Sequence, residues 1–82
     1  MKLELKLLVN REQMMEFYNI LSDFNLDFDI YSSHTWIDGK DLESLFTLDM
    51  SKPFMLYCYG DEYLLERVQN LVSDYIYIKS EC

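Results

Sequence analysis

Asn10-Arg11, His34, Cys58 and the Asp27/Asp29 pair are the places where this chain could do chemistry. Arg11 follows a residue able to cap a helix, and an arginine beside the free amides of a helix N-terminus can hold an anion. The other reading is a solvated first-turn arginine. His34 is the only histidine and lies in the short polar link Ser32-Ser33-His34, far along the chain from Asn10-Arg11. Cys58 sits inside the apolar run FMLYCY, where a thiol acts as a small core hydrophobe, and Cys82 is the last residue. No disulfide between them is expected. Asp27 and Asp29 share one face of an alternating segment, yet two carboxylates need a third convergent ligand to hold a divalent cation. No glycine-rich phosphate loop, Cys/His metal spacing or nucleophile–base pair occurs, so neither a metal, a cofactor nor an enzyme activity is expected.

The scaffold for these residues is small. At 82 residues the chain supports one domain, spanning 1–82, with one thin core. Half of it is hydrophobic and 16% aromatic, too apolar for a disordered chain despite a net charge of −8. Acidic residues outnumber basic ones 15 to 7, and the basic ones are scattered. Nucleic acid and anionic membrane both demand clustered cations, so neither is an expected partner. No apolar run approaches the roughly 20 residues of a membrane span, and the expected setting is the cytoplasm.

Apolar spacing predicts the element order. KLELKL (2–7) alternates strictly, as a half-buried strand does. Asn10 can cap a helix whose stripe is Met14, Phe17, Tyr18, Leu21 and Phe24. LDFDIY (26–31) alternates again, Ser32-Ser33-His34 links it to a third strand at Thr35-Trp36-Ile37, and Asp41 caps a helix from Leu42 to about Leu48. Pro53 opens a fourth strand, Phe54 to Tyr59. Asp61 then caps a last helix with the stripe Leu64, Val68, Leu71, Val72 and Tyr75, and residues 76–82 read as an irregular tail. The expected class is α+β: an open-faced two-layer sandwich of order β-α-β-β-α-β-α, three helices covering one face of a four-stranded antiparallel sheet.

That order, with Gly39-Lys40-Asp41 before a short helix, LFTLDMSKP (45–53) and YGDE (59–62), resembles the histidine phosphocarrier protein family, HPr, of the bacterial sugar phosphotransferase system, and its clostridial-type members in particular. The likeness is strongest from Asp29 to Glu62. It implies an HPr-like fold, and it implies a histidine and an arginine at the start of the first helix. Here LLVNREQMM (7–15) places Asn10 near the histidine and Arg11 near the arginine, and asparagine offers no nucleophilic nitrogen for phosphotransfer. The family's regulatory serine at the N-cap of the middle helix matches Asp41. Aspartate there either mimics a phosphoserine permanently or simply caps the helix.

The resemblance also implies docking through the first and middle helices, near Leu42, Leu45 and Phe46, although Glu43 departs from the apolar pattern. Alternation adds a second surface, with Tyr31, Trp36, Met55, Tyr57 and Tyr59 on the sheet face opposite Phe28, Ile30, Ile37, Phe54, Leu56 and Cys58. If the strands faced the other way, these rings would be buried. The expected function is a non-catalytic protein-binding domain whose partner is another protein or a second copy. The alternative is a regulator of the phosphotransferase system that binds sugar-transport enzymes or a transcription factor through the middle helix.

Overall fold

The computed structural model describes residues 1–78. Strand β1 (Lys2–Leu7) is followed by helix α1 (Met14–Ser22), the hairpin β2 (Phe28–Ser32) and β3 (Thr35–Asp38), the one-turn helix α2 (Leu42–Leu45), strand β4 (Phe54–Tyr59), helix α3 (Glu62–Leu71) and a 3₁₀ turn, Ser73–Tyr75. The sheet is antiparallel with order β1-β4-β2-β3, so the two strands richest in apolar residues lie at its centre. The expected α+β, open-faced class is what the chain adopts.

Alternation decides what faces the helices. Phe28 and Ile30 of β2, Phe54, Leu56 and Cys58 of β4 and Leu7 of β1 are buried with Met14, Phe17 and Leu21 of α1, Leu45 of α2 and Leu65 and Val68 of α3. Phe17 is the hub: its ring meets Phe54 and Tyr75 edge-on, each at 5.7 Å between centroids. Gly39 permits a close approach at the end of the hairpin. Its N–H donates to the Phe28 carbonyl at 2.8 Å, and a Cβ there would stand 2.8 Å from the Phe28 Cβ. Lys40 folds beneath it and donates its ammonium to the Phe24 carbonyl just past α1, where helix carbonyls lack partners.

Several expectations need correction. The first helix begins at Met14, because Arg11–Gln13 form a tight turn, and it ends at Ser22, with Phe24 buried in the turn beyond. Strand β2 starts at Phe28, two residues late. The middle helix stops at Leu45 instead of Leu48, since turn hydrogen bonds from Thr47 and Leu48 to Ser44 and Leu45 replace the helical ladder. On α3, Leu65 is buried and Leu71 is 49% exposed, so the inward stripe is Leu65, Val68 and Val72 with Leu64 at its edge. Within the predicted irregular tail, Ile76 and Tyr77 are held against β1, while Ile78 is 82% exposed. Ile76 bridges Leu7, Leu8 N–H donates to the Tyr75 carbonyl and Tyr77 N–H donates to the Lys6 carbonyl, which covers the outer edge of β1. Cys82 and the rest of that predicted tail lie outside the described residues. No helix among those described is long and apolar enough to cross a membrane.

Candidate aromatic interface

The open face of the sheet is built by register. A two-residue turn, Ser33-His34, joins β2 to β3, with both residues at positive φ (50° and 65°) as a tight hairpin turn requires. The predicted three-residue link is therefore one residue too long. Pairing then runs Ser32 with Thr35, Tyr31 with Trp36, Ile30 with Ile37 and Asp29 with Asp38. Because side chains alternate, Tyr31, Trp36, Asp29 and Asp38 all stand on the face away from the helices. On β4, Met55 lies opposite Tyr31 and Tyr57 opposite Asp29; on β1, Glu4 lies opposite Tyr57.

Three rings converge over β2. Trp36 lies 4.9 Å from Tyr31 and 5.3 Å from Tyr57, both tilted, and Trp36 and Tyr59 are 60% and 61% exposed. Tyr31 and Tyr57 are half-buried, because each has a ring on one side and the sheet beneath. The Tyr31 hydroxyl is 3.3 Å from His34 Nδ1 and the two rings meet edge-on, which extends the aromatic row to the hairpin tip. Lys2 pairs with Glu4 and lies over the Tyr57 ring at 5.5 Å. The strands therefore face as the alternation predicts, and burying this amount of ring on a partner is what interface centres do.

The other surface is less open than expected. Leu45, predicted to help dock a partner, has no exposure: α2 is one turn long, and Leu45 is the residue it sends into the core. Leu42 and Phe46 are half-buried. The Arg11 guanidinium lies over the Phe46 ring at 5.6 Å, although the residue stays exposed. Asn10 Oδ1 accepts from Gln13 N–H at 2.8 Å while Gln13 Oε1 accepts from Asn10 N–H at 3.1 Å, a reciprocal capping box that occupies the asparagine. Asp41 is the N-cap of α2, accepting from Ser44 N–H at 3.4 Å and from the Ser44 hydroxyl at 2.8 Å.

Elsewhere the chemistry is sparse. His34 is a surface turn residue on the hairpin. Cys58 is fully covered at the centre of β4, and burial pushes its thiol pKa up, away from thiolate reactivity. Asp27 and Asp29 gain no third ligand: among the described residues no three His, Cys, Asp or Glu side chains converge as a metal site would need. A shallow cleft between the hairpin and the segment after α2 is lined by Ser32, Thr35, Thr47 and Asp49, among others, with Asp49 its single ionisable group. What sequence reasoning missed is the row Glu4, Tyr57, Asp29, Asp38. Counting outward from a two-residue turn would have found the Asp29/Asp38 half of it.

No protein-family model matches the chain, and no curated protein matches it. Among solved structures, HPr-C-His from Thermoanaerobacter tengcongensis superposes with a TM-score of 0.65 over 93% of this chain and 90% of that one, at 13% identity. The chain has an HPr-like fold.

Proposed function

We propose that this chain is a non-catalytic protein-binding domain on an HPr-like scaffold, not competent for histidine phosphotransfer and not an enzyme, and that it works in a bacterial cytoplasm. The observation that carries the reading is the exposed Trp36 ring set between Tyr31 and Tyr57 on a sheet face without helices. Folding alone gains little from a large ring left in water, whereas one buried at the centre of an interface contributes about 2 kcal/mol or more. Loss of the phosphocarrier chemistry is supported at the start of α1, where Asn10 is spent on the capping box and Arg11 on Phe46. His34 stands at the hairpin, away from the α1 amides in the chain, with Tyr31 as its neighbour.

Two experiments test this. Incubation with phosphoenolpyruvate and the enzyme that charges phosphocarrier proteins leaves the chain unphosphorylated; an acid-labile phosphoryl group lost in His34→Ala would overturn the non-catalytic assignment. Light scattering and affinity capture from a bacterial extract, run on wild type and Trp36→Ala with matched thermal midpoints, find association reduced in the variant. Equal association in both proteins removes the open face as the working surface.

The second reading, a regulator of the phosphotransferase system, is favoured by one observation: Asp41 keeps a negative charge at the N-terminus of α2, beside half-exposed Leu42 and near the Arg11-covered Phe46. Its mark is capture of sugar-transport enzymes or a transcription factor that Leu42→Lys abolishes and Trp36→Ala leaves intact.

A further inference from the structure

The geometry points to an arginine-bearing segment of another protein as the occupant of the open sheet face, its guanidinium against the Trp36 ring and its N–H groups on Asp29 and Asp38. This rests on the reading of that face as the working surface. Asp29 and Asp38 are directly opposite each other on adjacent strands, an arrangement that repels in the free chain. Among the described residues neither carboxylate joins an ion pair, and that of Asp38 accepts only the backbone N–H of Lys40, at 2.9 Å.

Among the described residues the lysines and arginines are already engaged. Lys2, Lys6, Arg11, Lys40 and Arg67 each lie over an aromatic ring, those of Tyr57, Tyr77, Phe46, Phe28 and Phe24 among them, and Lys52 pairs with Asp49. Trp36, the ring type that attracts a cation most strongly, has none over it among the described residues, and it stands in register beside the unpaired carboxylates. A planar guanidinium meets both needs at once, since it stacks on rings and bonds carboxylates with two N–H groups, while an ammonium does neither as well. The net charge of −8 draws a basic segment in. It also opposes a second copy, which would set the acidic rows Glu4, Asp29 and Asp38 of two chains against each other.

The test is titration with an octapeptide of alternating arginine and glycine, alongside its lysine and citrulline counterparts, followed by Trp36 fluorescence and amide chemical shifts. Saturable binding of the arginine peptide is expected, with shifts confined to residues 29–31, 36–38 and 57, weaker binding of the lysine peptide and none of the citrulline peptide. Asp29→Asn/Asp38→Asn, which relieves a repulsion and so keeps the fold, weakens binding on the order of tenfold. Unchanged binding in that variant, or shifts spread over the acidic surface of α3, would overturn the inference by reducing it to general attraction of a polycation. Light scattering separates the two levels. If the arginine peptide fails while wild type self-associates and Trp36→Ala does not, the occupant is a second copy: this inference falls and the protein-binding face stands. If the peptide fails and nothing associates through Trp36, both fall.

Discussion

Two aspartates perform one task with different geometry. Asp61 accepts the Leu64 N–H at 2.9 Å, whereas Asp41 accepts the Ser44 N–H at 3.4 Å and leans on the Ser44 hydroxyl. Removing an N-cap side chain costs about 1 kcal/mol, and the shorter bond heads a longer helix. Asp61→Ala is therefore expected to lower the urea midpoint more than Asp41→Ala, and Asp41→Ser to cost least of the three. Equal midpoints for wild type and Asp41→Ala would leave Asp41 as a surface charge only. Tyr75 gives a pH dependence. Burial, then the hydrogen bond and charge of Glu16, push its pKa up to about 12, against about 10 in an unfolded chain. The unfolded state thus loses this proton first as pH rises. The stabilisation is complete below pH 10 and is lost as pH climbs from about 10 to about 12. Tyr75→Phe should show a smaller fall in urea midpoint between pH 9 and 11 than wild type. The remaining fall includes Cys58, whose raised thiol pKa acts with the same sign.

Among the elements, the hairpin carries a correctable strain. A turn with positive φ at both central residues suits Asn-Gly, and here Ser33 and His34 occupy it. Ser33→Asn with His34→Gly should raise stability by about 0.5–1 kcal/mol, read as a higher thermal midpoint; a lower one would mean that the His34 contact with Tyr31 matters more than the backbone. Ile76 and Tyr77 protect the β1 edge, so truncation after Tyr75 should lower the midpoint and promote association at high concentration, seen by light scattering. Which of these features the sequence reveals follows from their physics. Strict alternation in KLELKL, the apolar run FMLYCY opened by Pro53, and the caps Asp41 and Asp61 are local signals, so the strand faces and the starts of α2 and α3 are legible. The aromatic row was legible for the same reason. The length of α2, the burial of Leu45, the exposure of Leu71 and the pairing of Ile76 with Leu7 depend on contacts between distant segments, which no local period encodes. Arg11 on Phe46 is of that kind: two residues far apart in the chain meet only once α2 turns back toward the start of α1.

At the scale of the whole molecule, a net charge of −8 on 82 residues means that folding gathers acids that repel one another. Salt screens that repulsion, with a Debye length of about 10 Å at 0.1 M. The thermal midpoint should therefore rise between 10 and 300 mM sodium chloride, concentrations at which binding of a basic partner would weaken. A falling midpoint would show that local ion pairs outweigh the general repulsion. The sheet holds a further property of the whole. Cys58 is sealed between β1 and β2, opposite Leu3 on one side and Phe28 on the other, at 0% exposure. A thiol reagent reaches it only when the centre of the sheet parts from the helices. In a Cys82→Ser background, the native labelling rate of Cys58 thus becomes a clock for the rarest openings of the protein. Its half-time reads out how often the entire core, and not merely a fraying end, comes undone.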